Sequence, residues 1–426
     1  MKNHRHIGTF LATAACTLNL IGCVSESDEN EVVEDTQESI TRTRCTPTGD
    51  ICAHFDAHAA AHGKKQKQII INHLISLIKS ARPNSSIHGS IYRFDLDEVF
   101  AAIEEAIKIN GVSVSLVLDG CTDPTHWNPD RCKTRESVAM SRRLLDLSAQ
   151  HPRKLKLTFC HNQGKGCLYY PQGTTNSIQH AKYFLFSDTE NNNGGPPRPT
   201  TWISSANLTT ATGVKAFNDS LTFYNNNDIY SQLKLYHDAQ NTSGSYDSSF
   251  TVPTANSHVY LFPEVPGNPL KGSLEKHLRQ MEKKNCEILV AHMSFDLEEM
   301  VEVLRKFATE MKCSVKVATG NGEVNRVHLR MLAKMPRTEV KDWTNDPDGH
   351  GAFHAKTITL RYTGNDGTHH RIVYTGSHNL THHSTERSDE ILVEIENKFL
   401  HDAYVRHFKD YWNLPNRKHT NWDVIK

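Results

Sequence analysis

The chain has 426 residues, 48 of them Lys or Arg and 48 Asp or Glu, so its formal charge at neutral pH is zero. That balance hides an offset, because residues 1–39 hold two basic and seven acidic groups and leave 46 against 41 over residues 40–426. A modest positive excess suits an anionic diester and excludes the charge density of a dedicated nucleic-acid binder.

Residues 1–22 read as a secretory signal: Lys2 and Arg5 start it, and Ile7 to Ile21 is mostly apolar but too short for a membrane span. Leu20-Ile21-Gly22-Cys23 resembles a bacterial lipobox, which implies cleavage before Cys23 and lipid on its sulfur; an ordinary signal with an incidental cysteine is the alternative. A lipidated Cys23 would hold an exported lipoprotein at a membrane surface. Val24, rather than an Asp, follows it, and outer-membrane or cell-surface placement is therefore expected. Residues 23–44 form an acidic, self-repelling tether.

Eight cysteines remain once Cys16 and Cys23 are set aside, an even number that in an exported chain reads as disulfides. Spacing suggests Cys45–Cys52, Cys121–Cys132, Cys160–Cys167 and Cys286–Cys313, with other connectivities open. A zinc site would favour C-x-x-C, and none occurs.

His54, His58 and His62 recur every fourth residue in an Ala-rich stretch, which predicts the polar face of a helix, with a metal face as the rarer reading. An amphipathic helix around Ile71, Leu74, Ile75 and Ile78 opens the first of two similar units, residues 45–250 and 251–426, with the boundary in the Asn241–Ser257 stretch. The run Ser90 to Val99 is echoed by Ala291 to Met300. In each a strand-like run ends at Phe-Asp, with Asp95 or Asp296 at the predicted N-cap and Glu98 or Glu299 three residues on. Apolar residues then hold helical spacing (Leu96, Val99, Phe100, Ile103, Ile107; Leu297, Met300, Val301, Leu304, Phe307) and lead to strands at Val112–Leu118 and Ser314–Ala318. That is βαβ, hence parallel strands. Later in each half the pattern turns to hairpins. The fold class expected is mixed α/β: two similar lobes, each a mixed sheet flanked by helices.

The chemistry is carried by a duplicated constellation. His180-Ala181-Lys182 is followed by an apolar run and Ser205-Ala206-Asn207; His354-Ala355-Lys356 by an apolar run and Ser377-His378-Asn379. The His-to-Ser gaps are 25 and 23 residues. His62-Gly63-Lys64 and His407-Phe408-Lys409 lack the sequel and carry no such signal. In a strand, a Lys two residues after a His projects from the same face. It can hold phosphate oxygens and offset charge that develops on phosphorus, while the His acts as nucleophile or acid. Two opposed sets supply a nucleophile and a separate acid, with no metal or other cofactor required.

This duplicated His-x-Lys with a following Ser-x-Asn resembles the phospholipase D superfamily, from about residue 53 onward. The resemblance implies two lobes about a pseudo-twofold axis with one active site between them, and a covalent phosphohistidine. By the family's order His180 is the nucleophile and His354 the general acid, with Lys182, Lys356, Asn207 and Asn379 gripping the phosphate. Ser205 and Ser377 support them, and Asp219 and Glu390 are the acidic residues that orient the histidines. The family's Asp five residues after the Lys is replaced by Ser187 and Arg361, and Ser204 stands where the second copy has Gly376. His369-His370 and His382-His383 read as loop residues flanking the second unit. The loop Cys160 to Cys167, with Tyr169 and Tyr170 after it, reads either as an entrance wall or as a stapled surface loop. A monomeric phospholipid diesterase is expected. Nucleic acid is the alternative substrate, and a non-catalytic lipid- or polymer-binding lipoprotein the alternative function.

Overall fold

A computed structural model describes residues 42–56, 68–130, 132, 134–160, 166–168, 177–190, 198–242, 246–263, 267–320, 322–343 and 352–413. The signal and lipidation readings, Cys23 included, lie outside the described residues, as do His58, His62, Tyr169 and Tyr170.

The first half runs β1 (Thr43–Cys45), β2 (Ile51–Asp56), α1 (Ile69–Lys79), β3 (Ser86–Ile91), α2 (Asp97–Lys108), β4 (Ser113–Leu118), α3 (Arg135–Gln150), β5 (Leu155–Phe159), β6 (Tyr183–Thr189), β7 (Arg198–Ser204), β8 (Ala216–Tyr224) and α4 (Asn227–Thr242). The second runs β9 (Ser249–Val252), β10 (Ser257–Phe262), α5 (Pro269–Gln280), β11 (Glu287–His292), α6 (Glu298–Thr309), β12 (Ser314–Thr319), α7 (Arg326–Ala333) and β13 (Thr338–Asp342). It continues through β14 (Ala352–Phe353), β15 (Lys356–Thr363), β16 (His369–Gly376), α8 (His382–Glu386), β17 (Glu390–Glu396) and α9 (Lys398–Trp412).

Strand order in the first sheet is β5-β4-β3-β6-β7-β8-β2-β1, and in the second β13-β12-β11-β15-β16-β17-β10-β9. Position for position these are one plan used twice. β3 pairs parallel with β4 and β11 with β12, each across one helix, while β6-β7-β8 and β15-β16-β17 are antiparallel. The fold is mixed α/β, as the repeat predicts.

The helices α2 and α6 form where the apolar spacing places them, burying Val99, Ile103 and Ile107 in one half and Met300, Val301 and Leu304 in the other. Their starts differ from the expectation. The N-caps are Leu96 and Leu297, not Asp95 and Asp296, and no side chain caps either. Asp95 instead accepts from the Thr210 amide at 3.1 Å, tying the loop to the far end of the sheet. Glu299 takes a hydrogen bond from Asn268. Acidic residues in each first turn still complement the helix dipole.

Each sheet has an outer apolar layer of its own, and a third core lies between the sheets. That shared layer combines Phe55, Tyr183, Leu185 and Leu221 of the first sheet with Leu261, Val373, Ile391 and Val393 of the second, and with α4 and α9. At roughly 1.5–3 kcal/mol per large apolar side chain fully buried, it joins the lobes firmly enough to place opposing residues at fixed distances. The four local disulfides are formed: Cys45–Cys52, Cys121–Cys132, Cys160–Cys167 and Cys286–Cys313.

His54 is in strand β2 rather than on a helix, because the strand continues to Asp56. Its ring stacks on His73 with centroids 3.8 Å apart, and burial pushes its pKa down to about 2. It is a neutral core histidine. The segment His382–Glu386 is a short helix, and His369 and His370 begin strand β16; none of the four is in a bare loop.

Candidate active site

His180-Ala181-Lys182 leads into β6, and His354-Ala355 into β15, which begins at Lys356. Strand alternation sends His and Lys to one side and the intervening alanine to the other. Ala181 is accordingly in the shared core, and Ala355 in a cluster with Phe217, Phe353 and Tyr411. Both histidines and both lysines are buried, and each lysine ammonium donates to the main-chain carbonyl of its own motif histidine.

The Ser-x-Asn units follow the ends of β7 and β16. Ser205 and Ser377 stitch those ends to the neighbouring strands, each hydroxyl accepting at 3.0 Å from a main-chain amide, Asp219 and Ile391 respectively. Asn207 donates to Thr212 at 2.9 Å. The side-chain oxygens of Asn207 and Asn379 are both buried without a hydrogen-bond partner.

The lobes exchange partners across the interface. His180 Nδ1 donates to Glu390 Oε1 at 2.8 Å, and Ser377 donates to the other oxygen of the same carboxylate. His354 Nδ1 donates to Asn218 Oδ1 at 2.9 Å, and Ser205 donates to the same oxygen at 3.2 Å. Both bonds place a proton on Nδ1; they leave Nε2 of His180 as its free ring nitrogen, while the Lys356 ammonium lies 3.5 Å from Nε2 of His354. Burial, reinforced by the lysine charges, holds both imidazoles well below the ordinary histidine pKa. Burial also lowers Lys182 well below its ordinary value and brings Lys356 down to about 7, while it raises Glu390. The result is a buried cluster of two neutral imidazoles and two destabilised ammonium groups. It has the complement a phosphoryl anion needs.

A family model described as "Cardiolipin synthase, PLD-like domain" matches residues 74–238 and 278–412. The chain belongs to the phospholipase D superfamily. No curated protein matches it in sequence. Among solved structures, the phosphatidylserine synthase of Haemophilus influenzae is similar at 13% identity and TM-score 0.53, over 87% of this chain and 88% of that one. The polyphosphate kinase of Porphyromonas gingivalis is similar at 12% identity and TM-score 0.50, over 80% of this chain. The match spans 48%, about half, of that kinase's length. Yeast tyrosyl-DNA phosphodiesterase is similar at 12% identity and TM-score 0.44, over 75% and 85% of the two chains. At these identities the likeness is one of fold.

Against the superfamily pattern, the structure brings together His180, Lys182, Ser205, His354, Lys356, Ser377 and Glu390, while Asn207 is held by Thr212 and Asn379 has its side-chain oxygen buried. It moves one assignment. Asp219 does not touch His354: it accepts from Thr375 and, at 2.7 Å, from Tyr404 OH, so it ties β8 to the second lobe. Asn218 is the partner instead. The spacing contains this, since Ser205 to Asn218 and Ser377 to Glu390 are both 13 residues.

The positions where the family carries its further Asp are remote from the chemistry. Ser187 and Arg361 are five residues from the motif lysines, about 16 Å along a strand. Ser187 accepts from the Ser86 amide at 2.8 Å and Arg361 faces Glu287 at 3.7 Å, so each anchors its strand to the start of β3 or β11. Gly376 has a φ of +149°, and a Cβ there would lie 2.2 Å from the Ile391 carbonyl. In the first lobe Ser204 uses its hydroxyl to reach the Asp219 carbonyl at 2.7 Å.

Several site residues carry no motif. Tyr92 lays its ring 5.1 Å from that of His180 and 5.5 Å from the Lys182 ammonium. Arg93 stacks over Tyr92 at 4.9 Å, its Nε buried without a partner, and its charge lowers the pKa of His180, Lys182 and His354. His378, where the first lobe has Ala206, stacks on Phe262 at 4.4 Å and donates to or accepts from Thr385 at 3.1 Å. The repeat itself hides such residues, because Arg93 is matched by Ser294 in the other half. Cys160, Cys167 and Asp389 converge, but the two sulfurs are bonded to each other and offer no thiolate to a metal.

Proposed function

We propose that this protein is a phospholipase D-type phosphodiesterase that removes phospholipid head groups through a phosphohistidine on His180, with His354 as the acid. The observation that carries the division of roles is the unequal cross-lobe pairing. Glu390, a carboxylate, faces His180, which makes its Nε2 the better nucleophile and offsets the positive charge of an N-phosphorylated ring. Asn218 is neutral, so a proton on His354 is less stabilised and more readily given away.

A bound diester supplies the negative charge that the His354 side lacks, and so favours protonation of that ring. His180 Nε2 then forms a bond to phosphorus as the bond to the leaving oxygen breaks, and the His354 proton passes to that oxygen. In the second step water gives a proton to His354 while its oxygen attacks phosphorus, and the phosphorus–nitrogen bond breaks to restore His180. Lys182, Lys356, Asn207 and Asn379 hold the phosphoryl oxygens throughout.

The lipid assignment is supported by the family model's cardiolipin synthase description and by the lipobox-like Cys23, which would attach an exported monomer to a membrane, the outer membrane by preference. The test uses protein lacking residues 1–23 with liposomes of phosphatidylcholine, phosphatidylethanolamine and cardiolipin, beside DNA and RNA. Head-group release that persists in chelator, with slower or absent cleavage of nucleic acid, is expected, as is transfer to an added alcohol. Faster cleavage of DNA or RNA would replace the lipid reading with a nuclease. No turnover of any diester, with lipid binding intact in His180→Ala and His354→Ala, would mark a binding protein.

A further inference from the structure

One buried carboxylate beside the site takes no part in the chemistry above, yet more first-lobe groups converge on it than on any catalytic side chain. Asp389 opens the β17 end of the second lobe and is fully buried. Its carboxylate accepts from the main-chain amides of Cys167 at 3.0 Å and Leu168 at 3.2 Å, and from Gln240 Nε2 at 3.0 Å, all first-lobe groups. Its main chain pairs with the segment that carries the nucleophile: Asp389 N–H donates to Ile178 C=O at 3.0 Å, and His180 N–H to Asp389 C=O at 2.9 Å. The next residue is Glu390, the partner of His180 Nδ1.

The cradle for that carboxylate is closed by the Cys160–Cys167 disulfide. The bridged sulfurs pack on Val117, and the Gly166 amide donates to Ser177 Oγ at 2.6 Å. Gly166 itself has no room for a side chain, since a Cβ would fall 2.7 Å from Asp389 Oδ1. On the acid side the main chain is paired in the same way, Phe353 with Phe217 as Gln179 with Asp389, but among the described residues no carboxylate cradle accompanies it. There the residue matching Asp389, twelve positions after the Ser, is Phe217, and it packs in an apolar cluster with Phe353 and Tyr411. The residue paired with the segment before each histidine thus differs in kind: apolar Phe217 beside His354, and beside His180 the carboxylate-bearing Asp389, held by groups of the first lobe.

We propose that Asp389, gripped by the disulfide-closed loop at Cys167 and Leu168, is the positioning residue that sets the register of His180 against Glu390. This rests on His180 being the nucleophile. A carboxylate with three donors is stiff, and a nucleophile displaced by even a fraction of an ångström from its line of attack loses rate rather than affinity.

The experiment uses the full chain and bis(p-nitrophenyl) phosphate. Asp389→Asn replaces one acceptor oxygen by a donor that faces the loop amides, and is expected to lower kcat about ten- to a hundredfold with KM within about twofold. The Cys160→Ala/Cys167→Ala double variant, which releases the loop and leaves Asp389 in place, is expected to lower kcat in the same way. The downfield Nδ1 proton of His180 in the NMR spectrum is expected to shift in both. Should Asp389→Asn not fold, Gln240→Leu removes a single donor from the carboxylate and is expected to give a smaller loss of kcat with the same proton shift. Folded variants with wild-type kcat and an unmoved proton overturn the proposal, as does a kcat loss that follows the unfolded fraction alone. Wild-type protein with no turnover would instead sink the catalytic reading, and the proton shift would still report whether the clamp sets His180.

Discussion

Glu390 and Asn218 occupy the same place in the two lobes, 13 residues after their serines, and each binds the Nδ1 of the other lobe's histidine, yet only one of them is an acid. A symmetric fold has been made chemically asymmetric by one functional group. Glu390→Gln keeps the hydrogen bond and removes the charge. It is expected to cut kcat about 10²- to 10³-fold, with diminished accumulation of phosphohistidine, because the charged ring in the intermediate loses its counter-charge. Asn218→Asp is expected to act on the other step: it stabilises the imidazolium of His354, weakens it as an acid, and slows substrates with poor leaving groups. Burst kinetics on substrates with good and poor leaving groups separate the two effects. Equal losses in both variants on both substrates would refute the assignment of roles.

Lys356 should make activity sensitive to alkali. Burial brings Lys356 down to about 7, with the Glu390 and Asp219 charges opposing. As pH rises through that value the free enzyme loses a phosphate-binding cation, so kcat/KM should fall on the alkaline side of about pH 7. A bound phosphate anion favours the ammonium, and the corresponding limb of kcat should therefore lie at higher pH. A kcat/KM that stays level to pH 9 would show that Lys356 remains charged in the free site.

A second titration should appear in stability rather than rate. Asp56 accepts from the amides of Ile69 at 2.8 Å and Ile70 at 3.3 Å at the start of α1, and burial raises its pKa to about 7. The folded protein therefore binds a proton more tightly at this site than the unfolded chain does. That contribution to stability is fully present below about pH 4 and is lost as pH rises toward 7. Asp56→Asn keeps an acceptor for the helix without the charge. Relative to wild type, its stability should rise between pH 4 and 7 by a few kcal/mol at most, read from urea midpoints at each pH. A difference that is constant with pH would mean Asp56 is already ionised in the fold.

How much of this was legible depends on whether a residue acts through its own neighbours in sequence. The motif histidines and lysines could be found because two residues on one strand face share a spacing, and the βαβ units because burial imposes its period on α2 and α6. The position of Asp95 misled for a related reason: the N-cap pattern was present, but a tertiary bond to Thr210 held the Asp and the helix began two residues later. Asn218 was missed in favour of Asp219 because an acid draws attention and an amide does not, although the 13-residue spacing identified it. Asp389 and Arg93 had no such signal. The side-chain partners of Asp389 lie 149 to 222 residues away, and Arg93, though it stacks on its neighbour Tyr92, meets the two histidines only through the packed fold.

The remaining prediction separates the histidines by the need of the leaving group for a proton. His180→Asn removes the only nucleophile for the first step and should abolish turnover of every diester, activated or not. His354→Asn removes the acid. A lipid head group leaves as an alkoxide and must be protonated, so its release should fall by about 10²- to 10⁴-fold, the range typical of a lost general acid. A nitrophenolate needs no proton, and its release in the first turnover should survive in this variant at near wild-type rate. Hydrolysis of the intermediate also uses His354, as a base toward water. The variant should therefore give a burst of nitrophenolate, then stall as a phospho-enzyme. Acid-labile, base-stable label mapped to residue 180 would confirm the order. Label on residue 354 in the wild-type protein would reverse the roles and require Asn218, not Glu390, to face the nucleophile.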